Sequence, residues 1–305
     1  MSRDLLAGLR TCALQPRLKL CHYASPKRSV RRDIMKYWLV SCLAATLYVV
    51  VGGTLFQHFR QGSLLTGNVR ITIFVVGFVA VLLHAAILYT DLLTADGLNL
   101  ALTNAVSLVM WAVALLFLVT ALYRPINNLG MVIMPVAALA VLVAWIWPGP
   151  PVVLPAGTTL QSAHIVISVL AYGLLTLAVV QSLLLLAQER QLRHRHAGAF
   201  LGALPPLETM EHLMFQLIGI GFLLLTLTVI TGVFFTEQLF GKPLRFTHHV
   251  VLSLLSWVVF ATLLLGHWRF GWRGRPAVRW TLGGFTLLAL AYFGTKFVME
   301  IILGR

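Results

Sequence analysis

The sequence predicts an all-α fold: a polytopic membrane bundle of about eight transmembrane helices. Three observations predict it. Of 305 residues, 59% are hydrophobic and only 10% are charged, against roughly 25% charged in an ordinary soluble domain. The mean hydropathy is +0.89, more than one soluble core can hide. The apolar residues also fall into eight long runs, each near the ~20 residues that a helical span needs, since only a helix satisfies its own backbone in lipid. Disordered, collagen-like and small disulfide-stapled chains are excluded.

The runs cover 37–56, 72–91, 101–122, 129–147, 164–187, 213–236, 248–267 and 280–302. The first follows Lys36 and holds Cys42. The second contains His84 and ends on Asp91. In the third, Asn104, Ser107 and Trp111 share one face by their i, i+3, i+7 spacing. They read either as an interhelical seam or as a pocket wall with an aromatic floor. Arg124-Pro125-Ile126-Asn127-Asn128 separates the third run from the fourth, and Pro148-Gly149-Pro150-Pro151 the fourth from the fifth. The fifth opens on His164 and runs into Arg190. Pro205-Pro206 and the acidic start Leu207-Glu208-Thr209-Met210-Glu211 introduce the sixth, with acids well placed near a helix N-terminus. The seventh opens on His248 and His249, contains Trp257 and ends on His267. The basic, aromatic connector Gly271-Trp272-Arg273-Gly274-Arg275 reads as a headgroup-level anchor. The eighth carries Lys296 and Glu300 at i, i+4, which predicts an anchoring ion pair. No connector is long enough to be a soluble domain, and residues 35–305 are expected to form a single transmembrane domain.

Charge predicts the orientation. The formal net charge is +14, a balance that in soluble proteins points to nucleic acid, but here the charges sit in loops. One alternate set of connectors holds Arg60, Arg70, Arg124, Arg190, Arg193, Arg195, Arg269, Arg273, Arg275 and Arg279. The other set, with the C-terminus, holds Lys242, Arg245 and Arg305, together with Asp91, Asp96 and Glu237. The basic set is expected in the cytoplasm, which places both termini outside and leaves no nucleic-acid partner to invoke. Residues 1–34 resist this scheme. They carry eight Lys/Arg and two Asp and no apolar stretch like that of a secretory signal. This basic tail is either a start-site artefact, with Met35 the true first residue, or a tether to anionic membrane lipid.

Ionisable side chains inside spans are functional candidates by default. His84, His164 and the His248/His249 pair all fall in or near the outer half of the bilayer on this topology. Neutral imidazole is a common metal ligand and an axial ligand of haem iron, and two imidazoles from two helices can clamp a flat macrocycle. Acidic ligands are scarce there, so the composition suits haem better than a hard cation. For His84 the plain alternative is an interhelical hydrogen bond, and for His248, His249 and His267 a solvated helix end. Trp257 is open between packing and site wall. There is no CxxC, CxxCH, Walker, GxSxG or HExxH pattern, so thiol-redox chemistry, covalent haem attachment and the common hydrolase and NTPase sites have no carrier.

Several segments in order resemble the cytochrome c assembly (CcsA-like haem-handling) superfamily, and within it the YpjD/HemX-like inner-membrane branch. They are His164-Ile165-Val166-Ile167-Ser168-Val169-Leu170-Ala171-Tyr172, Leu204-Pro205-Pro206-Leu207-Glu208-Thr209-Met210-Glu211, and the stretch from Leu252 through Trp257 and Gly271-Trp272-Arg273-Gly274-Arg275 to Ala291-Tyr292-Phe293-Gly294. The resemblance spans roughly residues 80–300. It implies a multi-pass protein of the bacterial inner (plasma) membrane that binds or presents haem, a haem b, at the outer face without being an enzyme. Its partners would be haem, membrane lipid and other cytochrome c assembly or membrane proteins. His164 matches the family's external haem ligand and His84 an intramembrane ligand position, which implies haem iron as the metal at each, while His267 lies about two residues from a second one. Asn104, Trp257, His248 and His249 complete the candidate cofactor-binding set. The chain departs from the family at the WGxxWxWD signature before the seventh span. There it reads Leu239-Phe240-Gly241-Lys242-Pro243-Leu244-Arg245-Phe246-Thr247-His248-His249, and no second external histidine follows the last span. His248 or His249 is expected to take that place. The departures keep a second function open, a membrane scaffold or accessory subunit that has lost haem binding. A small-molecule permease is disfavoured, because no paired Gly/Pro-broken spans mark inverted repeats.

Overall fold

The computed structural model describes residues 27–62, 67–94, 97–124, 126–149, 153–154, 159–193, 205–240 and 248–303, with backbone alone for 27–37, 153–154 and 233–240. Most of the basic tail, Asp96, His194, Arg195, His196, Lys242, Arg245 and Arg305 lie outside the described residues. Eight helices are long and apolar enough to cross a membrane, as expected. They are α1 (Lys27–Gln61), α2 (Gly67–Leu92), α3 (Leu102–Tyr123), α4 (Asn127–Ile146), α5 (Thr159–Arg193), α6 (Leu207–Phe240), α7 (His248–Phe270) and α8 (Gly274–Ile302). Residues Tyr37–Arg305 form one compact unit.

Between lipid-facing helices there is no hydrophobic driving force, so packing rests on small residues that let backbones approach and on interhelical hydrogen bonds. The interior follows this rule. Ala80, Ala112, Ala114, Ala137, Ala138 and Ala178 are fully or nearly fully buried, while Leu82, Ile71, Leu139 and Leu223 point outward. Gly130 on α4 faces Leu55 of α1 and Phe117 of α3, where a Cβ would overlap both side chains. α5 packs along α6 and also meets α3 and α8, so it is the central helix, and α7 packs on α6 and α8.

Helices α5 and α6 are 35 and 34 residues long, well beyond the apolar runs that announced them. An apolar run marks the stretch in hydrocarbon, whereas the helix continues through polar residues such as Gln188 and Glu189 into the headgroup region. A second departure from the sequence reading is a small antiparallel sheet. Strands β1 (Leu93–Thr94), β2 (Gly97–Asn99) and β3 (Val153–Leu154) pair in that order, with Leu98 opposite Leu154 and Asn99 opposite Val153. The α2–α3 and α4–α5 connectors are thereby zipped together at one end of the bundle. That end also holds the starts of α5 and α7 and the finish of α8. At the other end the α7–α8 turn is made by Gly271 (φ 64°) and Gly274 (φ 60°), in the left-handed region that glycine reaches without strain.

Candidate functional site

At the sheet-bearing end, His164 sits in the first turns of α5 against α6. Its Nδ1 lies 2.9 Å from Thr231 Oγ1. The Thr231 hydroxyl has one proton, which it gives to backbone carbonyls of its own helix, Leu227 O at 2.8 Å or Thr228 O at 3.2 Å. With its proton given to its own helix, Thr231 is able to accept from His164 Nδ1, and in that tautomer the lone pair sits on Nε2. This is the tautomer and the outer contact found for ligating histidines, which donate the other ring N–H to a fixed oxygen. Gly232 follows Thr231, and a Cβ there would stand 3.3 Å from His164 Cε1. The backbone of the same turn is braced by Ser168, which donates to His164 O at 2.6 Å.

His249 lies in the first turn of α7 (His248–Phe270), at the same end of the bundle as the start of α5. Its ring stands edge-on to Tyr292 of α8, centroids 6.2 Å apart at 72°. Tyr292 leans on Tyr172 and Phe293 (6.4 and 5.2 Å), and Tyr172 donates its hydroxyl to Leu288 O at 2.6 Å. His248 and His249 are both exposed at this helix end. Deeper along α7, the indole N–H of Trp257 donates to Thr226 Oγ1 on α6 at 2.9 Å, and the ring lies 5.5 Å from Phe222. Trp257 thus ties α7 to α6 below the histidines.

His84 is built into a different constellation. It is 0% exposed and both ring nitrogens are engaged: Nδ1 with Tyr48 Oη of α1 at 3.2 Å, Nε2 with Ser107 Oγ of α3 at 2.9 Å. A neutral imidazole has one donor and one acceptor nitrogen, so this ring satisfies two hydroxyls at once and joins three helices. Iron ligation by either nitrogen would break one of these bonds. The polar face of α3 turns toward α2. Trp111 Nε1 donates to Val81 O at 3.0 Å, and Asn104, 8% exposed, donates to Asp91 O and Asn99 O, both at 3.4 Å. In the structure this face is the interhelical seam, and Asn104 fastens the α2–α3 connector.

The opposite end is held by its own set of contacts. His267 Nδ1 donates to Trp272 O at 2.9 Å, and its ring stacks on Phe215. Glu211 accepts the Gly274 N–H at 2.7 Å and so caps α8. Glu189 pairs with Arg193 and Arg275, each at 3.1 Å.

The structure therefore gathers His164, His249 and His248 at one end with Tyr292, and places His84 and Asn104 in hydrogen-bonded ties among α1, α2 and α3. Among the described residues, no three His, Cys, Asp or Glu side chains converge on a metal position, so a multi-ligand cation centre finds no donors there. A haem iron asks for only one or two axial imidazoles, so it does not need three converging ligands. Sequence reasoning missed Thr231, Gly232 and Tyr48. Tyr48 had a signal, since a tyrosine hydroxyl within a span needs a partner. Thr231 had none, because serine and threonine in spans usually bond their own helix.

The model of the family described as Cytochrome C assembly protein matches residues 72–303. The chain belongs to that family. It is similar to the inner membrane protein YpjD of Escherichia coli (strain K12), 33% identical over 230 residues, which cover 73% of this chain and 85% of the relative. A protein of Azospirillum brasilense named for its place in the nifR3-like 5′ region is 40% identical over 141 residues, 46% of this chain and 52% of its own. The cytochrome c biogenesis protein CcsA of Gloeobacter violaceus is 30% identical over 93 residues, 30% of this chain and 28% of its own. No solved structure matches. The chain is a multi-pass inner-membrane protein of the cytochrome c assembly family. His84, His164 and His249 lie inside the matched region, whereas Tyr48, the α1 partner of His84, lies before it.

Proposed function

We propose that this protein binds haem at the sheet-bearing end of the bundle, facing the outside, and presents it during cytochrome c assembly without itself catalysing a reaction. His164, through Nε2, and His249 would hold a non-covalent, b-type haem. The observation that carries this reading is the hydrogen bond from His164 Nδ1–H to Thr231, because it sets the coordinating lone pair on Nε2 and fixes the ring before any ligand arrives. The second histidine at the start of α7 and the aromatic rings of Tyr292 and Tyr172 give a flat apolar macrocycle faces to lie against. The family's CcsA members are named for cytochrome c biogenesis, which accords with a haem cargo. His84 is not needed as a ligand and keeps its structural tie.

The missing tryptophan-rich stretch before α7 favours a second reading, a scaffold of the same fold that serves a partner membrane protein without haem. Detergent-purified protein from haem-replete cells separates the two. A Soret band that His164→Ala diminishes supports the first. Haem-free protein that crosslinks to one stoichiometric membrane partner supports the second.

A further inference from the structure

The last helix carries a column of side chains that links the connector sheet to the histidine end. In a regular α-helix, positions i, i+4 and i+8 drift around the axis, because 3.6 residues make a turn. Turns bonded i→i+5 hold more residues and are frequent at functional sites. Two such turns, Leu290–Gly294 and Val298–Ile302, interrupt α8. They offset the drift and bring Tyr292, Lys296 and Glu300 into one line. Lys296 Nζ lies 5.8 Å over the Tyr292 ring and 2.9 Å from Glu300 Oε1, and it also donates to Leu100 O. Glu300 Oε2 accepts the Leu102 N–H at 2.7 Å, the first unsatisfied donor of α3. The side chains are 17% and 4% exposed. Burying an ion pair carries a large desolvation cost, and α3 could have been capped by an uncharged serine or asparagine. A charged pair here does more than cap: its cation also lies over the face of Tyr292, whose ring packs at 72° against that of His249.

We propose that Lys296 and Glu300 are positioning residues for His249, acting through Tyr292. The connector sheet and the start of α3 anchor the carboxylate, the carboxylate anchors the ammonium, the ammonium holds the Tyr292 face, and Tyr292 fixes the His249 ring. The role of the positioned histidine as an axial ligand rests on the haem reading above, but the positioning does not, and the test separates them. Glu300→Gln keeps an oxygen for Leu102 and removes the charge, while Lys296→Gln removes the cation. Full-length variants in detergent, without added haem, are treated with diethylpyrocarbonate, and the modification rate of each histidine is read by mass spectrometry. His212, exposed on α6, serves as the internal standard. The His249 rate should rise by about threefold in both variants, the change in population that goes with losing one edge-to-face aromatic contact, while His212 is unchanged. Tyr292→Leu should reproduce the rise, and adding Lys296→Gln to it should have no further effect. An unchanged His249 rate in folded Glu300→Gln protein, with only a lowered melting temperature, would overturn the proposal. If the wild type takes up haem, the low-spin fraction of its spectrum should fall in Lys296→Gln. A wild type that takes up none removes the haem reading and leaves the reactivity result to decide the positioning.

Discussion

Replacing His84 by alanine tests the assignment of that residue to a three-helix tie. The ring is 0% exposed and bonds Tyr48 Oη at 3.2 Å and Ser107 Oγ at 2.9 Å. Each bond has a net value of about 1 kcal/mol in general, and closer to 0.6 kcal/mol between membrane helices. Removing the ring also leaves a void, and large-to-alanine changes in cores cost about 2–5 kcal/mol. His84→Ala should therefore destabilise the bundle by about 3 kcal/mol, and Tyr48→Phe by about 1 kcal/mol. The two residues bond each other, so the costs should not add. In the His84→Ala background, Tyr48→Phe should cost almost nothing. Unfolding by rising SDS mole fraction, followed by tryptophan fluorescence, measures all four corners of the cycle. Equal costs of Tyr48→Phe in both backgrounds would refute the tie. So would haem loss in His84→Ala protein that remains as stable as wild type, which would return His84 to the iron.

Three further outcomes follow from the geometry. Thr231→Val removes the acceptor of the His164 Nδ1–H at nearly constant volume and should weaken haem affinity by about 10–100-fold, read by haem titration of the apoprotein; unchanged affinity would mean that the Thr231 bond does not orient a ligand. Gly130→Ala pushes a methyl into Leu55 and Phe117 and should destabilise by about 1–3 kcal/mol through overpacking, measured in the same SDS titration, with a neutral result indicating a looser α1–α4 contact. In a cysteine-free background, Arg273→Cys should react with a membrane-impermeant maleimide only after cells are opened and Gly97→Cys in intact cells, because the α7–α8 turn is the most arginine-rich connector; the reverse pattern would invert the orientation.

The eight crossings were legible because hydrocarbon imposes a length and a composition that nothing else in the chain imitates. Their ends were less so. α5 runs on to Arg193 through Gln188 and Glu189, which an apolar count discards. The β1–β3 sheet left no trace, since strands of two or three residues are too short for a period-two pattern. The polar face of α3 was visible as a face, and its partner was not, because helix spacing says which residues align and never which helix they meet. For the same reason the chemistry of His84 depended on two hydroxyls on two other helices. The Lys296–Glu300 pair was readable from its i, i+4 spacing. Its further contacts, with Leu100, Leu102 and Tyr292, were not, because helix spacing does not say which backbone the pair meets and the π turns have no signature in the residues themselves.

The haem-binding claim stands or falls on one spectrum. Wild-type protein purified in detergent from haem-replete cells, reduced and oxidised, should show the Soret and α/β bands of a six-coordinate, low-spin b-type haem near one per chain. His164→Ala should lose most of that haem, while His249→Ala should keep part of it in a five-coordinate, high-spin form. A wild type without a Soret band, or a spectrum that His164→Ala leaves unchanged, would contradict the account.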